Sequence, residues 1–200
     1  MASLKAALPL FLFTERLVVV LFDYTEAHYD CLLAAMNSPT AHANMGDYGI
    51  RTPAQFDALN AASRLSPAVC GRTPDTDVYY LIRIGDQTGP MIGAVSLMQR
   101  ASGTPPDLGW CILEPFMGQG YAAEAGKELL RMAREEIGVR EVISWPGAAN
   151  SRSIRVAQKI GFEEGGSIQT KDAGQSVVYI LPGMKFDPDM DLSLWGLQDA

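Results

Sequence analysis

Residues 118–120, Gly-Gln-Gly, join an apolar run, Asp107–Leu113, to a stretch of helical spacing that opens at Tyr121. A strand, a glycine turn and a helix start aim several backbone N–H groups at one point. That point is the positive end of a helix dipole, so it suits an anion such as phosphate or pyrophosphate. Glycine serves turn geometry alone in many proteins, but two glycines in three residues exceed what a plain strand-to-helix turn needs. A second block follows, Asn150-Ser151-Arg152-Ser153 continuing to Lys159-Ile160-Gly161-Phe162. Its distance from the glycine turn suits one strand between two helices. Asn150 reads as the cap of the second helix, and Ser153 falls in its first turn. Arg152, Arg155 and Lys159 form either a solvated helix face or a contact to a further phosphate, with Arg155 the strongest candidate for that contact. Cys111 invites a nucleophilic role, yet it has no histidine near it in sequence and sits in an apolar strand, so it reads as a buried structural thiol.

The elements that must position these residues read in the order β-α-α-β-β-β-α-β-α-β-β. Strands are predicted at 15–22, 78–84, 91–99, 107–113, 140–145, 162–170 and 176–181, from β-branched and aromatic runs bounded by Gly, Pro and Asp turns. Helices are predicted at 25–37, 53–64, 121–137 and 150–160, from apolar spacing and from caps such as Thr52-Pro53 and Gly138. Residues 38–51 and 66–77 read as loops. The fold class is α/β, with a mixed (α+β) central sheet flanked by helices. One strand–helix–strand crossover makes strands 107–113 and 140–145 parallel. The expected organisation is an extension at 1–13, a single domain at 14–183 and an acidic tail at 184–200, whose residues 187–200 either trail away or dock on the domain.

Two hundred residues with 48% hydrophobic and 20% charged side chains describe one globular domain. The 16 basic and 23 acidic residues leave a net charge of −7, which argues against nucleic acid as a partner and favours cationic or neutral substrates. Cys31, Cys70 and Cys111 form no disulfide framework, and His28 and His42 form no zinc motif. No metal is expected, and the compartment is expected to be reducing and cytoplasmic. Ala6–Phe13 follows Lys5 but is interrupted by Thr14-Glu15-Arg16 without a cleavage site, so it reads as a short extension, not a signal peptide. No apolar run approaches the ~20 residues of a membrane span.

The element order and the two blocks resemble the GNAT acetyltransferase superfamily, which moves an acyl group from acyl-CoA to an amine. The resemblance runs from Thr14 to about Leu181. Thr14-Glu15-Arg16-Leu17, Gly118-Gln119-Gly120-Tyr121-Ala122-Ala123-Glu124-Ala125 and the Asn150–Phe162 block are similar to the Rim-type branch, which acetylates N-terminal amines of ribosomal proteins. The resemblance implies an acetyl-CoA-dependent N-acetyltransferase acting by direct transfer on a protein N-terminus or a small amine. A non-catalytic acyl-CoA-binding regulator of the same fold is the alternative.

It also implies site residues. Trp110, Cys111 and Ile112 belong to a strand that in relatives bulges and splays from its neighbour. The pantetheine arm lies in that gap, and a strand N–H serves as oxyanion donor. Met117, Gly118, Gln119, Gly120, Tyr121 and Ala122 cradle the pyrophosphate, with Asn150, Ser153 and Arg155 completing the coenzyme site. Asp107 is the implied base, Glu114 a competing acid, and Asn150 and Ser153 the remaining catalytic candidates, Ser153 as proton donor to the thiolate. Two positions depart from the family pattern. Pro115 stands where the loop usually begins with Arg or Gln, and Gln119 stands where Lys or Arg is frequent. Pyrophosphate binding then rests more on backbone amides. The Tyr that many relatives use as acid is Ala157 here. Tyr48, Trp145 and Asp47 are candidates for the acceptor side.

Overall fold

The computed structural model describes residues 8–62, 78–99, 103–170, 174–190 and 192. Cys70, Trp195 and the turn at 171–173 lie outside the described residues.

The chain forms β1 (Phe11–Phe13), β2 (Leu17–Leu21), α1 (Glu26–Met36), α2 (Pro39–Met45) and α3 (Pro53–Ala62). There follow β3 (Val78–Ile84), β4 (Met91–Met98), β5 (Asp107–Ile112), a 3₁₀ turn (Glu114–Phe116) and α4 (Tyr121–Met132), which ends in a π turn (Ala133–Ile137). The rest is β6 (Ile143–Ser144), α5 (Ser151–Ile160), β7 (Glu163–Thr170) and β8 (Gly174–Ile180). The strands make one eight-stranded sheet in the order β1-β2-β3-β4-β5-β6-β8-β7. Every neighbouring pair is antiparallel except β5–β6, which is parallel as the crossover demands.

Alternation along the strands sorts the core into two layers. Leu17, Val19, Tyr80, Ile82, Leu97, Leu108 and Ile112 pack with Ala125, Leu129 and Met132 of α4. Leu81, Tyr79, Ala94 and Cys111 face the other way, onto Leu32 of α1 and Phe56 of α3. Gly93 allows β4 to lie against β5, since a Cβ there would sit 2.1 Å from the Cys111 carbonyl oxygen.

The structure departs from the sequence expectations in three places. The extension at 1–13 contains β1, whose Leu12 is buried and whose Phe11 pairs with Val20. The loop at 38–51 contains α2, because Ser38 caps it by accepting from Ala41 N at 3.1 Å and Pro39 starts it. The strand at 140–145 shrinks to Ile143–Ser144, and β5–β6 pairing is recorded only at Asp107↔Ile143. Pro146, which has no N–H, follows two residues on. In the segment for which a tail and a docked stretch are both open, the described residues pack on the sheet. Leu192 is buried with Ile143, Ile168 and Val178, and Phe186 covers Gly166, where a Cβ would lie 2.4 Å from its ring. Among the described residues no helix is long and apolar enough to cross a membrane.

Candidate active site

The glycine turn is built for close approach. Gly118 and Gly120 have φ of +79° and +88°, a region open to glycine at no steric cost. Nothing lies within 4 Å of a Cβ placed at Gly118. Gly120 caps α4, and no side chain bonds to the helix start. The first-turn N–H groups, which have no intrahelical acceptors, therefore face the turn with the helix dipole behind them.

The turn is clamped from a distance. Arg16, just ahead of β2, donates to the Gln119 carbonyl at 3.1 Å and pairs with Glu124 at 2.6 Å. Thr14 donates to the same carboxylate at 2.5 Å, and the Arg16 guanidinium lies 4.7 Å from the Tyr121 ring centroid. Burial alone would push the Glu124 carboxyl up, but the hydrogen bonds from Thr14 and Arg16 outweigh it and hold it below the ordinary carboxylate range.

The second block is positioned by its own cap. Asn150 accepts from Ser153 N at 3.0 Å, and its amide nitrogen donates to the Asn44 carbonyl at 3.5 Å. The cap thus ties α5 to α2. On its other side α2 is tied to the end of β5, where Thr40 N donates to Glu114 Oε1 at 2.9 Å. Hydrogen bonds from the Thr40 hydroxyl and from its backbone N–H hold the Glu114 carboxyl below its usual value. Glu114 lies beyond β5, in the 3₁₀ turn, and anchors α2.

Between these anchors β5 leaves β6. The β4–β5 ladder runs without a register shift from Gly93↔Ile112 to Met98↔Asp107, so β5 carries no bulge of the kind the family resemblance implies. The gap arises instead because β5 and β6 diverge after Asp107↔Ile143. Leu113 N donates to Ile92 O on β4, while the Pro106 carbonyl accepts from Ile143 N on the β6 side. Strand alternation then turns the N–H groups of Trp110 and Ile112 toward the gap.

Two cavities occupy this region. One, of about 350 Å³, is lined by Trp110, Cys111, Ile112, Met117, Gly118, Gly120, Tyr121, Ala122, Asn150, Ser153 and Arg155. Of the expected coenzyme residues only Gln119 is not in that lining. Arg152 and Lys159 line it too, as do Thr40, Ala41, Asn44 and Met45 at α2. The other, of about 650 Å³, takes in Asp107, Tyr48, Trp145 and Ser176. Asn44, Met45, Trp110, Cys111, Asn150 and Ser153 border both, so the cavities form one bent cleft.

Asp107 is 4% exposed, and it lines the larger cavity only. Asp47 is absent from both linings and pairs with Arg51 at 2.5 Å, which holds its carboxyl down to about 2. Burial, with Cys31 adding to it, pushes the Cys111 thiol up to about 12, leaving no useful thiolate at neutral pH. The sequence reading missed α2 and the Arg16 clamp. The Ser38-Pro39 pair is the same start signal as Thr52-Pro53 and marks α2. No local signal marks the clamp.

Residues 16–163 match the family model "Acetyltransferase (GNAT) domain". The fold is similar to that of an acetyltransferase from Agrobacterium tumefaciens, with 25% identity, 86% of this chain and 94% of that chain covered, and a TM-score of 0.66. It is also similar to a GNAT-family acetyltransferase from Bacillus anthracis at 16% identity, with 86% and 97% covered and a TM-score of 0.65. The structure of AAC(6')-Ib in complex with paromomycin and acetyl-CoA aligns at 19% identity, with 84% and 93% covered and a TM-score of 0.61. No curated protein matched in a sequence comparison. The chain belongs to the GNAT acetyltransferase family, and the activity of this class is acyl transfer.

Proposed function

We propose that this protein transfers an acetyl group from acetyl-CoA directly to a primary amine, either a protein N-terminus or a small molecule. The coenzyme takes the smaller cavity and the acceptor the larger. The observation that carries this reading is their meeting at Trp110, Cys111, Asn150 and Ser153. A donor and an acceptor placed in the two arms come together there, which supplies much of the rate.

The residues present fit the coenzyme. The uncapped start of α4 and the open Gly118 suit a pyrophosphate, and Arg152, Arg155 and Lys159 offer cations for a further phosphate. Bound there, acetyl-CoA supplies a thioester carbonyl as the electrophile. Asp107 takes the proton that the acceptor ammonium must lose, directly or through water. The amine nitrogen bonds to the carbonyl carbon as the carbon–sulfur bond breaks, and the second proton that nitrogen then gives up is the one that ends on the departing thiolate, relayed through the Ser153 hydroxyl or water. The Trp110 or Ile112 N–H on the gap side of β5 stabilises charge on the carbonyl oxygen. Ser153 Oγ donates to the departing sulfur, and Asn150 holds that helix start in register.

Calorimetric titration of acetyl-CoA, run beside a thiol-release assay with mixed amines and N-terminal peptides, tests the proposal. Binding with release of CoA is the expected result. Binding without release across a broad amine panel would instead favour an acyl-CoA-binding regulator.

A further inference from the structure

The larger arm of the cleft has a composition that the net charge does not foretell. The chain carries −7, which by itself favours cationic or neutral substrates. Yet among the described residues lining the 650 Å³ cavity, Asp107 is the one Asp, Glu, Lys or Arg. The remaining wall is mostly apolar or aromatic, with Leu32, Met36, Leu59, Met98, Tyr79 and Trp145 among its members. Tyr79 donates to the Met98 sulfur, which fixes the two side chains against each other. Asp47, Glu114 and Asp57 lie outside this lining. Asp47 pairs with Arg51, Glu114 bonds to α2, and Asp57 accepts from Tyr29 at 2.6 Å.

From this we infer that the acceptor is a monocationic amine attached to a large apolar or aromatic body. The inference rests on the transferase reading above and names the substrate class of that same site. Among the described lining residues one carboxylate, that of Asp107, is there to meet one ammonium. A second or third ammonium drawn into the same arm would lose water and find no further carboxylate among the described lining residues, an unfavourable exchange. An aromatic or branched aliphatic body, by contrast, gains from burial against these walls. Methionines at positions 36, 45 and 98 let the walls adapt to its outline. The same chemistry is offered by a free arylalkylamine and by a peptide N-terminus whose first side chain is large and apolar.

The test is thiol release by the full chain with acetyl-CoA and matched amines. 2-Phenylethylamine and tryptamine represent the free amines, and short peptides starting with Phe or Leu represent the N-termini. Spermidine and kanamycin represent the polycations. The expected result is kcat/KM at least about 10-fold higher for an apolar monoamine than for either polycation. The better of the two apolar arms identifies the source. Leu59→Glu, which adds a carboxylate to the wall, is expected to move the ratio toward spermidine. Higher kcat/KM for spermidine or kanamycin in the unaltered protein overturns the inference and leaves the transferase reading standing. Bound acetyl-CoA with no release for any amine overturns the transferase reading itself.

Discussion

The Arg16 guanidinium pairs with the Glu124 carboxylate at 2.6 Å across 108 positions of sequence. Glu124 lies in the first turn of α4, beside the turn that presents backbone amides to an anion. An unpaired carboxylate there would repel a pyrophosphate. Arg16 offsets that charge and, through the Gln119 carbonyl, holds the turn in its open shape. A positive group thus reaches the glycine turn from β2, although the residue between the glycines is Gln119.

Arg16→Ala is expected to weaken acetyl-CoA binding by about 10-fold, because it frees the turn and leaves Glu124 unneutralised. Arg16→Lys should recover part of this, since one ammonium cannot hold both Glu124 and the Gln119 carbonyl. Calorimetric dissociation constants check both, with circular dichroism as the control for folding. Unchanged affinity in Arg16→Ala would remove the clamp from the binding account.

Asp107→Asn keeps the shape of the side chain and removes its basicity. The turnover number is expected to fall about 100-fold, while acetyl-CoA affinity holds, because Asp107 lines the acceptor arm and not the coenzyme arm. Steady-state kinetics with saturating acceptor read the first quantity and calorimetry the second. Full turnover in the variant would assign the base elsewhere.

Ser153→Ala separates a catalytic hydroxyl from a structural position. Asn150 bonds to the Ser153 backbone N–H, so the cap of α5 survives the change. A fall in turnover of about 10-fold is expected from the lost donor to sulfur. A turnover number equal to that of the unaltered protein would end the acid role.

Cys111→Ala tests for a covalent enzyme intermediate. With its thiol pushed up to about 12, Cys111 is a poor nucleophile, and activity is expected to stay within about 2-fold. Intact-protein mass spectrometry after mixing with acetyl-CoA should find no acetyl group on the unaltered chain. A stable acetyl adduct at Cys111 would contradict direct transfer.

His28 makes folding stability depend on pH. Burial, with Arg83 assisting and Asp23 opposing, lowers the His28 pKa below the ordinary 6.5. In the window below 6.5 the unfolded chain therefore binds more protons than the folded one, and stability rises with pH. The contribution is complete above that window and is lost as pH falls toward the folded-state value. Urea midpoints at about pH 7.5 and about pH 5.5 should differ in the unaltered protein and converge in His28→Asn.

Much of the scaffold is legible in the chain itself. Val78–Ile84 coincides with β3, and the crossover from β5 through α4 to a parallel β6 follows from element order. Asn150 announces its own cap three residues before the amide it accepts from. The residues of the coenzyme arm are local for the same reason, since a glycine turn and a helix start are each specified within a few positions. In α2 the signal was present in Ser38-Pro39, but the surrounding Asn and Gly outweighed it.

What only the tertiary structure decided involves partners far apart in sequence. Periodicity reports which face a residue presents, not what it meets there. Nothing local to Thr14-Glu15-Arg16 indicates that two of its side chains end on Glu124. Nor does the sequence of β6 reveal that its pairing with β5 is recorded at one position, which leaves the gap between them. The larger cavity is the extreme case. Its walls come from α1, α2, α3, β3, β4, β5, β6, α5, β8 and the turn after β6, and the charge of its described lining is that of the few residues so assembled, not that of the chain. Local spacing determines elements, whereas long-range packing determines which carboxylate lines the cavity.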